Sequence, residues 1–211
     1  KLAEIEKHES WNERLKNNVK NYYERIIHPP VFSPITKEEL NLLKSMGLDK
    51  IVFDYQAYEH ETDEYLMGRN REKHACLLDS LLNASIVGLE TDVHFIPMKP
   101  NYREIPDILE MLEIAGINNI SILNFVPQGR GLINKEELLL SQEEIIEFME
   151  ILKEASTNFS GNIRIGIPLQ GENTHKCNAG LEKLDIKFDG TILPCPAFKE
   201  LDPETMKKYG I

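Results

Sequence analysis

Cysteine is scarce, with three in 211 residues. That is too few for a disulfide scaffold. In a soluble acidic chain it points to a reducing compartment, where a cysteine pair more often means metal than cross-link. Positive charge is short as well: 24 Lys and Arg face 35 Asp and Glu, a formal net charge of -11. Such a balance argues against nucleic acid as the main partner, because phosphate binding wants a positive field. No apolar run approaches the roughly 18–20 residues of a membrane span. The charged opening stretch shows no signal peptide, and neither a P-loop nor a nucleophile elbow is found. The chain starts on Lys1 rather than Met, so a piece of a longer protein is expected. Hydrophobic residues make up 41% and charged residues 28%. This is ordinary globular composition, enough for one good-sized domain with or without a small appendage.

Periodicity divides the chain into three parts. Residues 1–29 read as a polar helix whose apolar stripe includes Leu2, Ile5, Trp11, Leu15 and Val19, closed by Pro29-Pro30. A repeated unit follows. Thr36 and Glu39 form a capping box for a helix through Met46, Gly47 stops it, and Ile51-Val-Phe53 is a short buried strand. Residues 70–84 make another helix, and 86–98 hold a strand with Val93, Phe95 and Ile96. Asn101 with Glu104 opens a helix to Ala115, followed by a strand over Ile120–Val126. Ser141 and Glu144 cap a further helix through Glu154, which leads to Ile163–Ile167. Alternating strand and helix with short Gly-marked joints predict an α/β fold of parallel βα units. Their chemistry lies at the carboxyl ends of the strands, which singles out Asp54, Gln56, His94, Met98, Asn124 and the Pro127–Gly131 turn.

From Gly171 the pattern changes. Leu184–Phe188, the Asp189-Gly190 turn and Thr191–Leu193 read as a β-hairpin, with Cys177 before it and Cys195 after it. The pair has three open readings: a disulfide, two unrelated structural thiols, or two ligands of a metal or iron–sulfur site. Cys76, among Ala75, Leu77 and Leu78, reads as a core residue.

Cys177, twelve residues, Gly190, four residues and Cys195 resemble the opening of the SPASM/twitch auxiliary cluster motif of radical S-adenosylmethionine enzymes. The surrounding Lys176-Cys-Asn-Ala-Gly180 and Asp189-Gly-Thr-Ile-Leu-Pro-Cys195 are similar to that family too. Gly47–Asp54 resembles its fourth barrel strand, and Pro127-Gln-Gly-Arg-Gly131 the turn after its sixth. The defining Cys-x3-Cys-x2-Cys loop does not occur in these 211 residues, nor do the later SPASM cysteines.

The resemblance implies a partial parallel TIM-like (βα) barrel over 31–170, preceded by the 1–30 helix and followed by the start of an auxiliary cluster region over 171–211. It implies 4Fe-4S clusters and S-adenosylmethionine as cofactors, and Cys177 and Cys195 as metal ligands. The family's reaction reduces S-adenosylmethionine to methionine and a 5′-deoxyadenosyl radical that abstracts hydrogen from substrate. A peptide or protein maturase is expected, cytoplasmic and oxygen-sensitive, acting on a peptide or small molecule without nucleic acid or membrane. The supplied chain alone is expected to be inactive. By the same resemblance Asp54 and Gln56 lie near the cofactor's ribose and amino-acid portion. Because parallel strands gather their carboxyl ends on a single face, Asp54, Gln56, Asn124 and Arg130 are expected to open toward one common cavity.

Other readings stand beside these. Arg69 pairs with a carboxylate or sits in a surface ion pair. The run from His60 to Asp63 reads as a solvated acidic loop, and His94 and His175 as lone hydrogen-bonded histidines. A barrel-derived scaffold is the first alternative function. The second is a metal-independent barrel enzyme using Arg130 and Asp54 on a small anion.

Overall fold

The computed structural model describes residues 33–165 together with 185, 186, 190 and 192–194. The helix expected over 1–29, His175, Cys177 and Cys195 lie outside the described residues.

Two helices begin as their sequences dictate. Thr36 and Glu39 exchange the paired hydrogen bonds of a capping box at α1 (Lys37–Ser45), and Ser141 and Glu144 do the same at α7 (Gln142–Ala155). Between them run β1 (Lys50–Asp54), α2 (His60–Met67), α3 (Arg71–Val87) and β2 (Glu90–Phe95). Then come a 3-10 turn (Tyr102–Glu104), α4 (Ile105–Ile114), β3 (Asn119–Ile122) and the short α5 (Arg130–Ile133) and α6 (Lys135–Leu138). A 3-10 turn (Ser156–Asn158) after α7 leads to β4 (Asn162–Ile165), and β5 (Asp185–Ile186) pairs antiparallel with β6 (Ile192–Leu193).

Strands β1 to β4 form one parallel sheet in sequence order. Each crossover carries helix, as parallel neighbours require. Phe53, Tyr55, Val93, Phe95, Ile120 and Ile122 point to the helices, and they meet Leu40, Leu81, Ile108, Leu112 and Phe148 in a single core. Ile163 and Ile165 extend that face on β4. The described strands thus give an α/β fold with a four-stranded parallel sheet.

Gly161 sits where the chain enters β4 against the start of β3. A Cβ there would come within 2.5 Å of the Asn118 carbonyl oxygen, which already accepts from the Asn162 amide at 2.7 Å.

Three local expectations change. The run from His60 to Asp63 is helical rather than a loop, and Asp63 is wholly buried rather than solvated. Asn101 makes no side-chain cap, because its amide is used on neighbouring loops. The strand expected over Ile120–Val126 stops at Ile122, with Leu123 adding one backbone bond to the Phe95 carbonyl.

Candidate functional site

Side chains alternate along a strand, and in-register neighbours on parallel strands share a face. The face away from the helices therefore carries Lys50, Val52 and Asp54 of β1, and Glu90, Asp92 and His94 of β2. Asn119 and Ser121 of β3 and Asn162 and Arg164 of β4 complete it. All but Val52 are polar. A parallel sheet packed on both faces would read as a continuous apolar run, so this face is built for something other than a second layer of apolar side chains.

The polar side chains are connected across all four strands. Lys50 Nζ lies 3.2 Å from both Glu90 and Asp92, and the Asp92 contact foremost raises the lysine's pKa above its ordinary value. Ser121 Oγ donates to Asp92 at 3.2 Å and accepts from Arg164 Nε at 3.2 Å. Asp92 and Ser121 are buried. Nearer the carboxyl edge, Asp54, His94, Ser121 and Arg164 fall in one register row, with His94 Nδ1 3.9 Å from the exposed Asp54 carboxylate.

Beyond the strand ends, amides knit the loops together. Gln56 Nε2 donates to the His94 carbonyl at 3.1 Å and its Oε1 accepts from the Ile96 amide at 2.9 Å. Asn101 Nδ2 donates to the carbonyls of Gln56 and Ile96, and its Oδ1 accepts from the Met98 amide. Lys99 donates from its backbone to Leu138 and from its side chain to Glu136. Glu104 accepts the amides of Tyr58 and Glu59.

A buried ion cluster backs the β1 end. Asp63 accepts from Arg69 Nε at 2.7 Å and faces His74 Nδ1 at 3.0 Å. Arg69 also donates to the Asp54 carbonyl at 3.1 Å, so Arg69 holds the strand end as well as its carboxylate. Burial alone would raise the Asp63 carboxyl, but His74 and Arg69 outweigh it and hold the group below its ordinary value. Tyr55 packs its ring 5.9 Å from that of His74, and its buried hydroxyl has no hydrogen-bond partner among the described residues. Burial pushes that phenol well above its usual range.

Of the residues singled out by sequence, Asp54 ends β1 and is exposed, and Asn124 lies exposed two residues beyond β3. Arg130 is exposed at the first turn of α5. Asp54 and Asn124 thus stand at the carboxyl ends of β1 and β3, while Arg130 lies further along the connection after β3. Gln56 also follows β1 but is buried, with both ends of its amide engaged by backbone. Asp92, Ser121 and Arg164 escaped the sequence reading, and His94, read as a lone histidine, lies in one row with Ser121 and Arg164. The signal was the alternation of Asp92-Val-His-Phe95, which marks a strand with one polar face.

Cys76 is the one cysteine among the described residues. Burial raises its pKa, which works against the thiolate a metal needs. The exposed Glu59 and Glu61 and the half-buried His60 bring ligand atoms within 4.8 Å of one another. Among the described residues no helix is long and apolar enough to cross a membrane.

No protein-family model matches the chain. A curated relative, the PqqA peptide cyclase of Granulibacter bethesdensis, is 24% identical over 164 residues, 75% of this chain and 44% of that protein. Solved structures share the fold. Streptococcus suis SuiB bound to S-adenosylmethionine aligns with a TM-score of 0.59 at 17% identity, over 80% of this chain and 42% of that one. SuiB bound to the precursor peptide SuiA aligns with a TM-score of 0.59 at 15% identity, over the same shares. The chain thus spans less than half the length of the proteins it matches.

Proposed function

We propose that this chain is part of a radical S-adenosylmethionine enzyme that modifies a peptide. The observation that carries the reading is the fold it has in common with SuiB, whose structures were determined with S-adenosylmethionine and with a precursor peptide. The similarity to a peptide cyclase and the Cys177–Cys195 spacing support it independently. On this reading residues 31–170 belong to a (βα) barrel with the polar sheet face inside. Residues 171–211 begin a SPASM/twitch region, after an amino-terminal helix over 1–30.

When bound, a 4Fe-4S cluster with S-adenosylmethionine supplies reductive cleavage to a carbon radical that takes hydrogen from substrate. The described residues hold no thiolate suited to the cluster, so its ligands fall to other parts of the protein, Cys177 and Cys195 serving an auxiliary one. The protein's own work at the sheet edge is binding and orientation. The Asp54 carboxylate, the Asn124 amide and the Arg130 guanidinium offer acceptor, mixed and donor groups for a polar cofactor. Gln56 contributes by fixing the β1 and β2 ends rather than by contact.

The test uses full-length protein reconstituted with iron and sulfide without oxygen, then given dithionite and S-adenosylmethionine. Formation of 5′-deoxyadenosine and methionine is expected. Reconstituted protein that binds iron yet leaves S-adenosylmethionine intact would sink the reading. Asp54→Ala should weaken S-adenosylmethionine binding about ten-fold, in the range of losing a charge-assisted hydrogen bond, while iron content stays unchanged.

A further inference from the structure

The joint between α2 and α3 is three residues long, and each of them is committed. Gly68 ends α2 in the left-handed region at φ 68°, and Asn70 caps α3 by accepting the Lys73 amide. Between them Arg69 engages all three nitrogens of its guanidinium. Nε donates to Asp63 at 2.7 Å, one terminal nitrogen donates to the other oxygen of that carboxylate, and the second donates to the Asp54 carbonyl at 3.1 Å. Asp63 is itself fixed, being wholly buried with His74 Nδ1 at 3.0 Å. The Arg69 side chain is only 14% exposed, so its fork serves the protein rather than a ligand.

What the fork grips is the last peptide unit of β1. That unit is held on both sides: its carbonyl accepts from Arg69, and its amide, the Tyr55 N–H, donates to the His94 carbonyl at 3.2 Å. Tyr55 is wholly buried on the helix side, its ring 5.9 Å from that of His74. Alternation puts Asp54 on the opposite face, where it is exposed. A carboxylate one methylene from the backbone follows the backbone closely. A buried ion group on one side of the sheet therefore sets the direction of an exposed carboxylate on the other.

We propose that Arg69, clamped by Asp63 and His74, is a positioning residue of the cofactor site that aims the Asp54 carboxylate without touching S-adenosylmethionine. The proposal rests on the proposed function, which gives Asp54 to the cofactor, and adds the group that orients it. Such support raises affinity because binding then has fewer groups to order.

A double-mutant cycle on S-adenosylmethionine binding to full-length protein, reconstituted without oxygen, tests it. Arg69→Lys keeps the charge beside Asp63, but one ammonium cannot hold the carboxylate through two bonds and the Asp54 carbonyl as well. This variant should keep its iron, bind S-adenosylmethionine about three-fold more weakly, a share of one lost hydrogen bond, and exchange the Tyr55 amide faster. In an Asp54→Ala background the same substitution should lower the affinity no further, whereas a merely structural role would lower it equally in both. His74→Gln leaves the Arg69–Asp63 pair charged and loosens it from the other side, so it gives the same pattern should Arg69→Lys not fold. Losses of equal size in the two backgrounds, an unchanged affinity or an unchanged Tyr55 exchange would overturn the proposal. A wild type that does not bind S-adenosylmethionine would overturn the proposed function and this role with it. A loss that survives Asp54→Ala overturns the positioning role alone.

Discussion

Asp63 has no exposed surface, yet it carries a charge that Arg69 and His74 share. Removing the carboxylate would leave a guanidinium largely out of water without its partner. Asp63→Asn should therefore destabilise the fold by about 3 kcal/mol, read as a lower urea midpoint. The carboxyl's pKa is depressed in the folded state relative to 3.8. Its contribution is then fully present above pH 4 or so and is lost as pH falls through the folded value. The wild type should lose stability steeply below about pH 4, and Asp63→Asn should lose less over the same interval. Identical acid limbs in the two proteins would show that the buried group is not ionised. Tyr55 is the opposite case. Its hydroxyl is buried without a partner among the described residues, so Tyr55→Phe removes an unsatisfied group without leaving a cavity. Unchanged or higher stability, by up to about 1 kcal/mol, is expected in the same denaturation experiment. Neither property was legible in sequence. Asp63 lies in a charged run that looks solvated, and its partners stand 6 and 11 residues away, on the far side of a turn and on the next helix.

At the scale of elements, the order of strands and helices could be read closely because β1, β2 and β3 each follow a glycine in the left-handed region just past a helix end. Both capping boxes formed where Thr36 and Ser141 stand three residues ahead of a glutamate. The polar row was hidden for a physical reason. Within one strand alternation marks two faces, but only register shows that Asp54, His94, Ser121 and Arg164 lie side by side. The loops were hidden likewise, since Asn101 looks like a cap and serves instead as a tie. Gln56→Ala should expose this at once. With its acceptor gone, the Ile96 amide should exchange at least about ten-fold faster, and the protein should lose roughly 2 kcal/mol for the buried groups left unpaired. Unaltered exchange at Ile96 would mean that the bond does not hold the loop. Gly161→Ala tests the other end of the sheet. Backbone, not a flexible side chain, blocks the added methyl, so about 1–3 kcal/mol of stability should be lost, with amide exchange faster at Asn162.

For the whole molecule, the auxiliary cluster of the proposed function sets the clearest expectation. Changing both Cys177 and Cys195 to Ala in full-length protein reconstituted without oxygen should remove one cluster's worth of iron and leave the radical-generating cluster in place. Unchanged iron would make these thiols structural. The α/β class could be read from alternation alone, whereas the proposed chemistry was suggested in the sequence by a cysteine spacing and not by any residue of the sheet, because a parallel sheet edge supports many reactions. The ties made by Gln56, Asn101 and Lys99 reach further than stability. They join the turns after β1 and β2 to each other and the second of these to α6 beyond β3. Anyone recombining this protein with its relatives would find that these three turns are inherited as a set. A turn transplanted singly arrives without the amide that its neighbour grips, so the smallest exchangeable module runs from Asp54 to Leu138.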